Sequence, residues 1–208
     1  GNVGFLGIPM LAMLMGPEAV LWVMLVLAID QLVFGSLIVI LIVGSRDGRM
    51  SFGLLHTVGL GLIKNPMIMA MISGLLCSSS GVSLPAPATE FFDILGAAAT
   101  PGALFAIGAS LASKSAERLS VASWLAFCKL ILHPAAVAIA ALFIFPVAAY
   151  PAAVLIAATA LPVAGNIFIL ATHYEVAPQR VSASIFLSTI VSVVTVSLII
   201  AWVSILYS

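Results

Sequence analysis

The feature that most constrains this chain is an apolar run that is interrupted in its middle, AATALPVAGNIFILA at residues 157–171. Pro162, Gly165 and Asn166 stand where a helix that crosses a bilayer would need continuous hydrogen bonds. In hydrocarbon, a broken backbone is tolerated only where protein or a water-filled cavity pairs the freed amides and carbonyls. The run therefore predicts an interrupted helix whose freed backbone groups are paired by protein or by water.

A partial echo of this run lies at the other end of the chain, NVGFLGIPMLAMLMG at residues 2–16. Here the apolar sequence contains Gly7 and Pro9, and we expect the helix to break near them. Two interrupted spans in one chain predict a transport pathway.

The composition decides the environment of these runs. Of the 208 residues, 63% are hydrophobic and 7% are charged, and the mean hydropathy is +1.32. A soluble domain needs far more charge to cover its surface. The sequence therefore predicts an all-α polytopic membrane protein.

Spans can be counted because a helix needs roughly 20 apolar residues to cross the hydrocarbon core. The count gives one partial and six fuller segments, about seven in all, and a polar stretch at 44–64 that predicts a cytoplasmic loop with an interfacial helix. The last segment is straight and rich in β-branched residues, as lipid-facing helices often are. The segments are 1–15, 19–43, 66–77, 89–112, 121–145, 152–172 and 181–206.

The basic residues orient the spans. The loops at 44–64, 113–120 and 173–180 lie on one side of the predicted topology and hold six of the seven Lys and Arg residues. By the positive-inside rule that side is cytoplasmic, which places the C-terminus on the outer side.

Each interrupted segment is followed by a polar turn and a straight span, and the two pairs enter the membrane from opposite sides. Similar units of opposite orientation are typical of inverted repeats, which bind substrate near the midplane between discontinuous helices. We therefore divide the chain into the end of a first repeat (1–43), the loop (44–64) and a second, five-helix repeat (65–208).

Five motifs occur in order along the chain, and together they resemble the auxin efflux carrier family in its bacterial branch. They are NVGFLGIPMLAMLMG (2–16), KNPMI (64–68), TPGALFAIGASLA (100–112), KLILHP (129–134) and ALPVAGNIFILATHY (160–174). The resemblance covers nearly the whole chain.

The resemblance implies a ten-helix carrier of two inverted five-helix repeats, similar to the fold of bile acid sodium symporters. This chain would then begin at the fourth helix and lack the first three. Bacterial members are described as carriers of organic anions such as malonate or malate, and plant members export auxin. We accordingly expect a bacterial inner-membrane location and a small organic anion as substrate, with a homodimer as one alternative for the assembly. Asp30 departs from the family pattern.

The candidate binding residues are those at the two interruptions. A helix that starts at a break exposes unpaired amides and about half a positive charge, which suits a carboxylate. The alternative is that these residues are packing kinks, since Gly and Pro are common in transmembrane helices. The candidates are Asn2, Gly7, Pro9, Pro162, Gly165 and Asn166.

Ionisable groups inside spans give a second set of candidates. Asp30 and Lys129 lie deep in apolar segments, where each costs roughly 2.5–3.5 kcal/mol on insertion scales. They are candidates for coupling, and the alternatives are an ion pair or snorkelling of Lys129 to the cytoplasmic face. His133 could carry a proton or be a hydrogen-bonded packing residue, and Asn65 and Ser110 could line the cavity or serve as cap and packing residues.

These features favour a secondary transporter, coupled to protons or sodium ions or driven by the anion's own gradient, that has no cofactor or metal. The sequence has no nucleotide-binding loop, GxSG segment or paired intramembrane acids, so an enzyme and an intramembrane hydrolase are disfavoured. A nucleic-acid partner is not expected, and the predicted partners are the bilayer and the anion. A channel or membrane receptor stays open as an alternative.

Overall fold

We analysed a computed structural model, which describes residues 1–47, 56, 59–60, 64, 66–112 and 119–207. Within these residues the chain is helical and has no strand, so the all-α prediction is confirmed there. The helices are α1 (Ile8–Met15), α2 (Ala19–Ile29), α3 (Gly35–Asp47), α4 (Pro66–Ser79), α5 (Ala86–Ala112), α6 (Leu119–Phe127), α7 (His133–Ile139), α8 (Ala149–Thr159), α9 (Asn166–His173) and α10 (Pro178–Tyr207). Four π-helical segments adjoin them, Val3–Gly7, Asp30–Phe34, Cys128–Leu132 and Ala140–Ile144.

Three continuous helical runs in the described part of the chain are long and apolar enough to cross a membrane. They contain 24, 26 and 29 residues, more than the roughly 20 that a span requires. Each coincides with a predicted span, and shorter apolar helices at Val3–Met15 and Ala149–Thr159 accompany them. The protein is a multi-pass membrane protein. The three runs are Ala19–Ile42, Leu119–Ile144 and Pro178–Leu206.

The interruption predicted near Gly7 and Pro9 is not there, and that prediction is wrong. The backbone is helical from Val3 through Met15, and Gly7 itself has φ −64° and ψ −52°. A wider π-helical turn precedes Pro9, and the Ile8 N–H bonds to the Val3 carbonyl, five residues back. The backbone leaves the helical region at Asn2 instead, with φ −79° and ψ 50°.

The second predicted interruption is confirmed. Helix α8 ends at Thr159 and α9 begins at Asn166, with turn and irregular residues between them. Pro162 explains the stop, because it has no N–H to donate and its ring would clash with the carbonyl four residues earlier. It also disfavours a helical conformation at Leu161.

The chain divides into two compact units, Gly1–Val26 with Ala98–Ser208, and Leu27–Ala97. In the first unit α10 packs on α6, α8 and α9, and α8 also packs on α1 and α7. Its fully buried side chains include Leu11, Leu130 and Leu161. The first unit therefore contains both segments that the sequence singles out.

The second unit holds the π-helical segment Asp30–Phe34 and helix α3, which follow each other directly in one continuous helical run. Helix α3 continues to Asp47, four residues into the stretch 44–64 that is predicted to be a loop with an interfacial helix. Of the rest of that stretch, only residues 56, 59–60 and 64 are among those described.

Helix α10, predicted to face lipid, buries one face inside the first unit. Its serines recur every four residues at Ser184, Ser188 and Ser192, and all three are buried. The Ser188 hydroxyl donates to the Ile185 carbonyl and accepts the Val163 N–H at 3.1 Å. Since Val163 lies in the gap between α8 and α9, this serine pairs an amide that the interruption leaves free.

Replacing Ser188 by alanine should destabilise the protein, because the Val163 N–H would lose its buried partner. We expect a loss of about 1–3 kcal/mol in the free energy of unfolding, measured by thermal or denaturant unfolding of the full-length protein in detergent. Ser197→Ala is the matched control, since Ser197 lies on the exposed face of the same helix and bonds only back to the Val193 carbonyl. Equal losses in the two variants would contradict this role of Ser188.

Candidate functional site

The start of the first helical run, at Asn2, meets the gap between α8 and α9. The Asn2 N–H donates to the Pro162 carbonyl at 2.8 Å. A Cβ atom built on Gly7 would lie 2.8 Å from Leu161 Cδ1, so a glycine is needed for this close approach. We call this place, formed by Asn2 and residues 160–166, the crossing. Its chain segments are shielded, since Asn2 is 6% exposed and Leu161 and Pro162 are fully buried.

The two helices that meet at the crossing run side by side in opposite directions. The start of α1's helical run is joined to the gap after α8 by the Asn2–Pro162 bond. At the other end, the Tyr150 hydroxyl near the start of α8 donates to the carbonyl of Met15, the last residue of α1, at 2.9 Å. Bonds at both ends fix α1 antiparallel to α8.

Helix α8 is shorter than a membrane span. Its 11 residues extend about 16 Å at 1.5 Å per residue. The hydrocarbon core is about 30 Å thick, so a helix of this length covers about half of it.

Two asparagine side chains at the helix starts have buried oxygens without a partner. Asn2 is the N-cap of the first helical run, yet its side chain makes no cap hydrogen bond there. Asn166 is the first residue of α9. The Oδ1 atoms of both are buried and unpaired, although a buried polar atom normally has a partner. Since an amide group carries both an acceptor and two donors, each side chain is equipped to bind a polar guest.

A positive charge reaches the crossing from a third segment. Lys129 Nζ donates to the carbonyl of Thr159, the last residue of α8, at 2.6 Å, and it lies 3.1 Å from His133 Nδ1. Its ammonium group is thus held at the end of α8. His133 is the hydrogen-bonded partner of this lysine.

The remaining candidates are not gathered at the crossing by any described contact. Asp30 is half-buried at the start of the π-helical segment in the second unit, and Pro9 lies in the first turn of α1. Asn65 lies outside the described residues. Ser110 belongs to α5, but its side chain is not among those described.

The groups at the crossing suit binding better than bond cleavage. They are two helix starts, two amide side chains and an ammonium group, which together offer hydrogen-bond donors and positive potential. Among the described residues, no group of three His, Cys, Asp or Glu side chains could hold a metal ion.

Three residues of the site escaped the sequence analysis. Ser188 could have been found from the four-residue serine spacing on α10, which marks a polar stripe on an apolar helix. Tyr150 gives a weaker signal, as a lone hydroxyl in the first turn after a proline-rich bend. Thr159 gives none, because it contributes a backbone carbonyl that every residue carries.

Comparison with known proteins gives one family and one curated relative. A family described as "Membrane transport protein" matches residues 1–200. A Rhizobium meliloti (strain 1021) protein named "Putative malonate transporter" is 27% identical over 204 residues. That alignment covers 95% of this chain and 62% of the relative, so the chain spans about three fifths of the relative's length. No solved structure matches the chain.

Adding a methyl group at Gly7 should disturb the crossing. In Gly7→Ala the new Cβ would force the fully buried Leu161 to move, and overpacking of this kind costs about 1–3 kcal/mol. Thermal unfolding should show the loss, and Leu161→Val should reduce it in the double variant, because valine has no δ-carbon.

Gly74→Ala provides the matched control for Gly7→Ala, since a Cβ there meets nothing within 4 Å. It should leave stability unchanged or slightly raised. A Gly7→Ala protein as stable as wild type would show that the helices are not in close contact at this point.

Proposed function

The chain belongs to the membrane transport protein family, and on this premise we propose that the whole protein is a secondary transporter that moves a small organic anion by alternating access. The resemblance to the bacterial branch of the auxin efflux carriers is confirmed by the family match and by the relative. The observation that carries the proposal is the crossing itself, where the start of the first helical run meets the gap between α8 and α9.

An anion is the guest best suited to the crossing. The helical run from Val3 and helix α9 both start there, and each start contributes roughly half a positive charge. Lys129 adds a full positive charge nearby. In a surrounding of low dielectric constant, these charges attract an anion over several ångströms with little screening. A mono- or dicarboxylate such as malonate, malate or an auxin-like weak acid fits this set of donors, and the name of the curated relative supports malonate first.

The proposed alternating access is based on the antiparallel helices α1 and α8. The antiparallel contact of α1 with α8 supports the inverted repeat, because repeats of opposite orientation place corresponding helices antiparallel to each other. The first helical run and the α8–α9 pair would then be the two crossing helices. Rocking of one repeat against the other would open the crossing to each side in turn.

The orientation that we propose follows from charge. Six of the seven basic residues fall on loops of one side, which supports a bacterial inner-membrane protein with those loops in the cytoplasm and its C-terminus outside.

The direct test is transport by the full-length protein in proteoliposomes. Labelled malonate, malate and indole acetate would be supplied with and without a pH gradient. We expect saturable uptake of at least one of them, accelerated by unlabelled anion inside the vesicles. A large, unsaturable current would favour a channel, and absence of uptake for all three would exclude the proposed substrate class.

Asn166 should be required for binding. A hydrogen bond to a charged group contributes about 1.5–3 kcal/mol, so Asn166→Ala should weaken anion uptake roughly ten- to a hundredfold, with a similar loss in Asn2→Ala. The measurement is the concentration dependence of malonate uptake. Gln179→Ala serves as the control, because Gln179 is an exposed amide residue at the start of α10. Wild-type kinetics in both asparagine variants would remove the crossing as the binding site.

Asp30 is the residue that we propose for proton coupling. It is half-buried in the middle of the apolar run Ala19–Ile42, where a carboxylate is costly unless it has a role or a partner. Asp30→Asn should make anion uptake insensitive to an imposed pH gradient, and Asp93→Asn, an exposed acid in α5, should leave it sensitive. Unchanged pH dependence in Asp30→Asn would refute this role.

A further inference from the structure

The Lys129 ammonium group lies at the carboxyl end of an interrupted helix, α8, and comes from a different helical run. Nζ lies 2.6 Å from the carbonyl oxygen of Thr159, where α8 stops, and 3.1 Å from His133 Nδ1. Lys129 itself stands in the π-helical segment Cys128–Leu132 of another span. A lysine of the span Leu119–Ile144 therefore caps the carboxyl end of the neighbouring helix α8.

The electrostatics of a helix end explain why a cation is stabilised there. The last four carbonyls of a helix have no intrahelical partner, and the helix dipole places about half a negative charge at this end. In carriers with interrupted helices, the carboxyl ends of half-helices and unwound carbonyls are the ligands of coupling sodium ions. At α8 the cation that meets this end is covalently part of the chain.

The same ammonium group lies next to Gly1, the residue before the other segment of the crossing. A Cβ atom built on Gly1 would lie 3.2 Å from Lys129 Nζ and 3.3 Å from Cε. Gly1 directly precedes Asn2, whose N–H bonds to Pro162. The lysine is thus packed between the end of α8 and the start of the first helical run, the two segments that a coupling ion would have to join.

The hydrogen bonds around Thr159 explain why its carbonyl is available to Lys129. The Thr159 hydroxyl donates within its own helix, lying 3.0 Å from the carbonyls of Leu155 and Ile156. In a continuous helix the Thr159 carbonyl would accept from the Val163 N–H, which donates to Ser188 instead, so this carbonyl is left to the ammonium group.

We propose that Lys129 is a fixed cation of the crossing, which takes the place of a coupling sodium ion and makes this carrier independent of sodium. Lys129 is a positioning residue, because it acts by holding the end of α8 and, through Pro162, the start of the first helical run. For transport the inference rests on the proposed function, but the cation site itself can be tested without transport.

The first experiment measures the melting temperature of the full-length protein in detergent, with sodium, methylammonium or choline chloride at equal ionic strength. Wild type should melt at the same temperature in all three. Lys129→Ala should melt lower in choline and should regain about 2 °C or more when sodium or methylammonium enters the vacated place. Lys64→Ala, which removes an exposed lysine, should behave as wild type.

Two outcomes of the melting experiment would overturn the proposal. A Lys129→Ala protein that melts at one temperature in every salt overturns the proposal, and so does a wild-type protein that sodium specifically stabilises. If Lys129→Ala does not fold, the same melting measurement is made on Lys129→Arg. The guanidinium group keeps the charge and several donors, so this variant should stay insensitive to sodium, and stabilisation by sodium would overturn the proposal.

The second experiment repeats anion uptake in sodium and in choline buffers. Wild-type rates should be equal in the two buffers, while Lys129→Ala should be slow in choline and faster in sodium. Sodium-dependent uptake by wild type would overturn the fixed-cation proposal but leave the transporter proposal intact. Absence of uptake in every buffer would instead refute the proposed function, and the melting experiment would still decide the role of Lys129.

Discussion

An interrupted helix in an apolar surrounding must have its freed backbone groups paired, and the first unit depends on how this is done. Each bond at the α8–α9 gap comes from a different part of the chain. The Pro162 carbonyl accepts from Asn2, the Val163 N–H donates to Ser188, and the Thr159 carbonyl accepts from Lys129. The gap is therefore the point at which the first helical run, the Lys129 span and the last helix are held together.

Polar groups of two kinds meet at this point, and they have different roles. The donors and acceptors just named are satisfied and stabilise the fold. The side-chain oxygens of Asn2 and Asn166 are buried and unsatisfied, which costs stability. The structural bonds thus pair the backbone groups of the gap, and the proposed binding groups are the two amide side chains.

The sequence located the second interruption correctly because proline acts locally. Pro162 removes a donor and blocks the preceding turn wherever it stands in a helix, so AATALPVAGN predicts the gap without any tertiary information. The same reasoning failed at Pro9. There a π-helical turn absorbs the proline, and Pro9 falls in the first turn of α1, where a missing N–H costs little. The helix therefore continued through Pro9, which a wider π-helical turn precedes, and ended before Pro162, which an ordinary α-helical turn precedes.

Several conclusions followed from the sequence alone. Its apolar composition determined the membrane environment, the lengths of its apolar runs gave the three long spans, and five motifs gave the family. Only the tertiary structure decided which groups meet, such as Asn2 with Pro162, Tyr150 with Met15 and Lys129 with Thr159. Composition and local stereochemistry are properties of neighbouring residues, which a sequence displays directly. The Thr159 carbonyl is bonded by a lysine 30 residues away. Because every residue has a backbone carbonyl, the sequence does not show which carbonyl lacks a helical partner, and the packed helices show what pairs it.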